Sequence, residues 1–391
     1  MNTYKKVDIS MATGGLLLFF LMMGSNVPAT LYEIYAVKFR FNTLILTGIF
    51  ATYVIFLVPT LLISGKYADK HGRKSIVYAG IVLAIAGLLS FIFAANYYEL
   101  FMARAFQGAA TGLISGPLTA LLVDLDRDKT KASFITTIST STGTATGPFL
   151  GGAMAEYFIF PLESVYFISL VLLVIISIFV VKMPETVHRK ELKINIKKPV
   201  MPENVKRILL FSSFSSFVAW SVTAFFMSLA PSYITTVFGL NNYAIAGGIV
   251  FLMLISSAFI QILFRKSLSE ESIVYGFMLL LASILGIILS VPYHSLIILV
   301  FSTVLAGTGM GIAFLGAMKM IVKDIPADYK ASVLSKFYII TYAGVGVPVV
   351  AIGGIALLTG LFISVIYYYV FIIIMVSILI IMRQKYKIKN V

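Results

Sequence analysis

Hydrophobic residues run along this chain in twelve long blocks separated by short polar stretches. The blocks lie at about 11–36, 44–64, 75–95, 99–123, 132–155, 163–181, 208–237, 243–264, 273–292, 295–318, 332–357 and 361–382. Each is long enough to supply the ~20 helical residues that cross a hydrocarbon core of ~30 Å. A bilayer interior offers no water to unpaired backbone groups, so such runs must be helical. The pattern predicts an all-α polytopic membrane protein with twelve transmembrane helices.

The longest polar stretch, 182–207, is rich in Lys and Pro and splits the helices six and six. It is the natural boundary, giving an N-terminal six-helix half (1–181), a linker (182–207) and a C-terminal six-helix half (208–391). Internal repeats support the division. Lys131-Ala132-Ser133 recurs as Lys330-Ala331-Ser332, Gly116 as Gly316, Pro148 as Pro348, and a basic loop starting at Gly65 as one starting at Arg265. A constant shift of about 200 residues argues for two parallel repeats around a central cavity, an arrangement that transporters use to rock about a mid-membrane site.

Composition agrees: 60% of the 391 residues are hydrophobic and only 12% charged, against roughly 25% charged in soluble domains. The net charge of +14 acquires its meaning from placement. Of the 30 basic residues, only Lys38, Arg40 and Arg104 lie away from the N-terminus, the tail and the even-numbered set of loops. Basic residues accumulate in cytoplasmic loops, so both termini are expected inside, in a plasma membrane. The positive face would meet anionic lipid headgroups, not nucleic acid.

Several chemistries are excluded. There is no cysteine, hence no disulfide, thiolate metal site or Cys nucleophile. His71, His188 and His294 all fall in expected loops, no metal or other cofactor is expected, and no Gly-Lys-Ser/Thr phosphate loop exists. Gly307-Thr308-Gly309-Met310-Gly311 lies in an apolar run with no preceding strand, which reads as helix packing. The chain is not expected to be an enzyme.

The residues then resemble a family. Gly65-Lys66-Tyr67-Ala68-Asp69-Lys70-His71-Gly72-Arg73-Lys74 looks like the signature loop of the major facilitator superfamily, and Arg104-Ala105-Phe106-Gln107-Gly108 resembles a second motif of it. Gly143-Thr144-Ala145-Thr146-Gly147-Pro148-Phe149-Leu150-Gly151-Gly152 is similar to the motif that marks its drug/proton antiporters, and Pro184-Glu185-Thr186 also fits. The resemblance implies the major facilitator fold. It further implies that Asp69 contacts the start of the eleventh helix near Ser332 while Arg73 reaches Asp124, latching the halves on the cytoplasmic side. Gly65 and Gly72 would supply the turns of the loop. The second-half loop, Arg265-Lys266-Ser267-Leu268-Ser269-Glu270-Glu271, lacks the glycines.

Gly143, Gly147 and Gly151 recur every four residues and place bare backbone on one helix face; with Pro148 and Gly152 they are expected to pack closely and to seal against the other half. Candidate cavity residues are Asn26, Tyr32, Phe225, Phe226, Met227, Tyr338 and Tyr342, an adaptable aromatic lining suited to a lipophilic or cationic compound. Glu33 and Arg104 each interrupt a run about five residues from its outer end, ~7.5 Å inward at 1.5 Å per residue. On helices that the resemblance places around the cavity they would pair and couple proton to substrate; the alternative is that Glu33 is hydrated near the outer headgroups and Arg104 is satisfied by Gln107 or backbone carbonyls. The functional reading is a monomeric proton-coupled efflux antiporter for a small organic compound. Proton-coupled uptake of a sugar or small solute is the alternative on the same scaffold, and a non-transporting receptor the alternative of another class.

Overall fold

The computed structural model describes residues 3–125, 129–187, 201–264 and 271–389. Most of the linker and the loop Arg265–Glu270 lie outside them. Among the described residues every regular element is a helix: α1 (Thr3–Asn26), α2 (Pro28–Phe39), α3 (Thr43–His71), α4 (Arg73–Ile92), α5 (Tyr97–Leu125), α6 (Lys129–Tyr157), α7 (Pro161–Val180), α8 (Glu203–Ser228), α9 (Ala230–Thr236), α10 (Tyr243–Leu263), α11 (Ser272–Ser290), α12 (Leu296–Asp324), α13 (Ala327–Thr359) and α14 (Leu361–Lys389).

All twelve apolar runs are helical. The first and seventh are each broken by a proline-bearing start, Pro28 opening α2 and Pro231 sitting in the first turn of α9, because proline brings no N–H to the preceding turn. Among the described residues eleven stretches are long and apolar enough to span a membrane. The exception is α6, whose Ser- and Thr-rich first half dilutes its hydropathy. Its hydroxyls are spent locally: Thr137 donates to the Ser133 carbonyl at 2.8 Å, Thr140 to Thr136 at 2.8 Å, Thr144 to Thr140 at 2.7 Å and Thr146 to Thr142 at 2.7 Å. Those side chains carry no unmet polar demand into the hydrocarbon.

The 65–74 segment corrects one expectation. Gly65 does not turn the chain: it lies inside α3, which continues to His71, and a Cβ on it would meet nothing within 4 Å. Gly72 alone makes the turn, with φ of 97°. A Cβ there would also stand 2.8 Å from Glu185 Oε2, so both backbone and space demand glycine.

Two compact units emerge. Unit 1 comprises Met1–Phe41, Gly48–Asn195 and Asn242–Phe251; unit 2 comprises Asn42–Thr47, Ile196–Asn241 and Leu252–Val391. Each includes the opening turns of one helix from the other half of the sequence, and close backbone contact explains both. In unit 1 a Cβ on Gly152 would lie 2.3 Å from the Tyr243 carbonyl oxygen and 3.1 Å from Gly247 Cα. In unit 2 a Cβ on Gly353 would lie 2.1 Å from Thr47 Oγ1 and 3.0 Å from the Thr43 carbonyl oxygen.

The glycine stripe of α6 has a different partner from the one expected. A Cβ on Gly143 would meet the Phe19 carbonyl oxygen at 2.4 Å, on Gly147 that of Met23 at 2.5 Å, and on Gly151 that of Val27 at 2.6 Å. The stripe therefore packs on α1 and the start of α2 within the same half, whereas Gly152, turned about 100° away, and the Pro148 carbonyl, 2.5 Å from where a Cβ on Gly247 would stand, face α10. Unit 2 repeats the device, since a Cβ on Gly344 of α13 would lie 2.5 Å from the Phe217 carbonyl oxygen of α8. The glycines of α12 pack likewise, Gly307 against Met253 of α10 and Gly309 against Gly276 of α11.

Glycine is thus required at some positions and replaceable at others. Gly147→Leu should lower the thermal unfolding midpoint in detergent by an amount worth about 1–3 kcal/mol or more, as overpacking does. Gly65→Ala should raise it slightly, because alanine is the better helix former by ~1 kcal/mol. Equal midpoints for Gly147→Leu and the parent would refute the α1–α6 contact.

Candidate functional site

The centre of unit 1 is organised by the break between α1 and α2. Pro28 cannot donate to the Gly24 carbonyl, four residues before it, and that oxygen accepts instead from Gln107 Nε2 of α5 at 3.2 Å. The neighbouring Ser25 carbonyl accepts from Arg104 Nη1 at 2.7 Å, and the same nitrogen donates to Gln107 Oε1 at 2.9 Å. Arg104 and Gln107 are one turn apart on α5 and almost wholly enclosed, 2% and 1% exposed. The guanidinium lies over the Tyr53 ring at 4.4 Å and near Phe50 at 5.9 Å. Carbonyl dipoles and aromatic faces thus offset its desolvation. Its Nε is buried without an acceptor among the described residues. A cavity of ≈ 10 Å³, about the room one water needs, borders Gly24, Ser25 and Gln107.

The expected pair of Glu33 with Arg104 is not made. The Arg104 Nη1 donor is directed at the Ser25 carbonyl of α1 and at Gln107. Glu33 is half-buried and instead falls within electrostatic reach of Tyr243. Glu156 of α6 accepts from the Tyr243 backbone N–H at 2.9 Å, so two carboxylates flank the start of α10. Of the cavity candidates in this unit, Asn26 donates to the Met22 carbonyl at 2.7 Å and Tyr32 is 1% exposed. Neither lines an open cavity: Asn26 is 7% exposed and Tyr32 packs edge-on with Phe50 at 6.5 Å. Thr30, next on α2, donates to the Pro148 carbonyl at 3.1 Å, tying the break to the glycine face of α6.

At the other end of unit 1 the signature segment and Pro184-Glu185-Thr186 form one assembly. Arg73 is ion-paired with Asp124, the penultimate residue of α5, and also donates to Thr186 Oγ1 at 3.3 Å. The Glu185 carboxylate caps α4 from outside its own helix, accepting from the backbone N–H groups of Arg73 at 3.2 Å and Lys74 at 3.0 Å. Lys74 reciprocates, its ammonium donating to the Val181 and Met183 carbonyls at 3.0 and 2.6 Å where α7 ends. An anion thus sits at a helix N-terminus and a cation at a helix C-terminus, each matched to the dipole it meets. Burial opposes ionisation of Glu185, yet the backbone N–H groups of Lys74, Val187, Thr186 and Arg73 hold its carboxyl below the ordinary 4.5. Asp69 is exposed and makes no hydrogen bond or ion pair with the described residues of its own unit; Ser332 belongs to unit 2.

Unit 2 sorts its candidate rings into two groups. Phe225, Phe226 and Met227 are interior rather than open lining: Phe225 is 1% exposed and meets Phe226, Tyr233, Tyr368 and Tyr369. Tyr338 and Tyr342 are half-buried and stack at 6.3 Å. Beside them stands Trp220 of α8, which no motif marks and which only its rarity could have flagged.

These features define a polytopic transport scaffold, two helical units whose polar groups are gathered at a helix break and at helix ends. The chain belongs to the major facilitator superfamily, whose family model matches residues 14–348. Its long apolar helices are those of a multi-pass membrane protein of that family. Multidrug resistance protein 1 of Bacillus subtilis is 26% identical over 159 residues, 39% of each chain. The MdtD protein of Escherichia fergusonii is 32% identical over 111 residues, 28% of this chain and 24% of the relative. The chain thus matches well under half the length of these relatives. Among solved structures, a POT family transporter in complex with a thioalcohol-conjugated peptide superposes with a TM-score of 0.78 at 13% identity, covering 97% and 96% of the two chains. A nucleoside transporter, NupG, gives 0.73 at 14% identity over 95% and 99%. These likenesses show the fold.

The Glu185 cap carries a pH signature. Because its folded carboxyl titrates below 4.5, its stabilisation should be complete above that value and vanish as pH falls through the lowered one. Glu185→Ala should therefore cost about 0.5–2 kcal/mol at neutral pH, as lost caps do, and progressively less in acid. Thermal midpoints of both proteins across a pH series check this.

Proposed function

We propose that the protein exports a lipophilic or cationic small organic compound in exchange for protons, by alternating access in the plasma membrane, with both termini cytoplasmic. The observation that carries the reading is Arg104. An intramembrane charge without a carboxylate partner is expensive and is a functional site by default, and this one donates to the Ser25 carbonyl, next to the Gly24 carbonyl that Pro28 leaves open and Gln107 takes up. Coupling follows from that placement. A change at the α1–α2 break alters what Arg104 meets, and a change in the charge near Arg104 alters the break. The multidrug name of the Bacillus subtilis relative supports export of drug-like compounds, as does the scarcity of fixed polar partners that recognition of a sugar would need.

In this reading Asp69 and Ser332 form the cytoplasmic latch, with the Arg73–Asp124 pair holding the segment in shape. Glu33 and Glu156 are the carboxylates through which protons pass. Protons and the organic compound are the partners, anionic lipid headgroups meet the basic face, and the working unit is a monomer.

The test is transport in proteoliposomes of known orientation. A gradient of tetraphenylphosphonium alone should drive protons the opposite way, and Arg104→Ala should reduce that flux at least about tenfold while retaining the fold. Protons moving in the same direction as the compound, or a response to sugars in its place, would overturn the efflux reading. Asp69→Asn should slow turnover severalfold with an unchanged melting profile; a wild-type rate would remove the latch.

A further inference from the structure

Trp220 is the only tryptophan in the chain, and its polar atom is unaccounted for. Ser216, one turn earlier on α8, accepts from Thr341 Oγ1 of α13 at 2.9 Å. Gly344, less than one turn beyond Thr341, lets α13 close on the Phe217 backbone. These contacts fix the two helices so closely that the Tyr342 ring stands 6.0 Å from the indole. From α12, Phe314 approaches the indole edge-on, at 5.7 Å and 80°. Tyr338 extends the wall by stacking on Tyr342. The result is four half-buried rings from three helices, all within unit 2.

In this group of rings the indole Nε1–H is buried and has no acceptor among the described residues. The hydroxyls around it are committed elsewhere: Ser216 and Thr341 to each other, Ser215 to the Phe211 carbonyl, Ser221 to Tyr368. A buried donor left unpaired costs about 1–3 kcal/mol, a cost that an incoming acceptor would remove. Among the described residues of unit 2 the acids are Glu203, Glu271, Asp324 and Asp328, and each lies at a helix end, away from this wall. A cationic group would find no counter-charge beside these rings; a flat uncharged ring would find faces and edges to pack on.

We propose that Trp220, Phe314, Tyr338 and Tyr342 form a subsite for the planar aromatic part of the transported compound, with Trp220 Nε1 donating a hydrogen bond to a carbonyl, ether or ring-nitrogen acceptor on it. This deepens the efflux reading by naming the group recognised, and it rests on that reading only in taking the bound compound to be a transported one. Specificity follows, because a site with a buried donor discriminates against an analogue that lacks the acceptor.

The single tryptophan makes the test direct, since indole emission reports on this ring alone. In lipid nanodiscs, 7-diethylaminocoumarin, an aromatic lactone with a carbonyl acceptor, should draw saturable energy transfer from Trp220. Trp220→Phe keeps a ring and removes the N–H. It should weaken coumarin binding, read on the probe's own emission, about tenfold, as loss of one buried hydrogen bond does. Binding of tetraphenylphosphonium, which has no acceptor, should change by less than about twofold in equilibrium dialysis. Unsaturable transfer in the unmodified protein overturns the proposal with no variant needed. So does an unchanged coumarin affinity in Trp220→Phe, or an equal loss for both probes. Saturable transfer in a protein that moves no protons against a compound gradient would refute the coupling and leave this subsite standing.

Discussion

Inside a bilayer a carbonyl deprived of its N–H has no water to turn to, and this demand shapes the chain from its helices to its buried charge. Pro28 breaks the first span and removes one donor; Gln107 and Arg104 supply others to the Gly24 and Ser25 oxygens. The most conspicuous intramembrane charge of the protein is therefore an answer to a backbone problem created on another helix. The arrangement joins two requirements. The guanidinium needs oxygen partners to offset its burial, and the broken turn needs donors. Neither α1 nor α5 satisfies its own polar groups without the other.

Within each unit the helices approach until backbone touches backbone, and the positions that permit it are glycines. The stripe on α6 seats against α1, and Gly344 of α13 seats against α8 in the same way. Both units use the solution because the geometry is unforgiving: a methyl group at Gly147 would come within 2.5 Å of a carbonyl oxygen. The segments counted with the opposite unit, at Gly152 and Gly353, use the same contact.

The helices were legible because their signal is collective, twenty apolar residues at a time. Single-residue partners were not. A glycine pattern states how close a neighbour may come and says nothing of which neighbour, so the α6 stripe was expected against the other half and lies on α1. The depth of Arg104 could be read, and Gln107 or backbone carbonyls could be named as its partners, but which carbonyl could not: the Ser25 oxygen is an atom that every residue carries and no letter marks. Gly65 looked like a turn because it stood in a polar segment, yet helical hydrogen bonding runs on past the end of the apolar run to His71. Glu185 was visible as part of a short motif, whereas its role as the cap of α4 depends on a fold that brings residues 73 and 185 together.

The hydroxyl-lined first half of α6 bears on how the protein is made. A segment whose threonines are bonded to its own carbonyls is tolerated in hydrocarbon once it is helical, but an unfolded chain of the same composition has little drive to leave water. The strongly apolar α7 follows after only three residues. The two must enter the membrane as a hairpin, α7 supplying the partitioning energy and α6 carried in with it, and the glycine face then finds α1 already in place. Assembly of the first half is thereby ordered in time, with the helix least able to insert alone arriving when its partner is waiting.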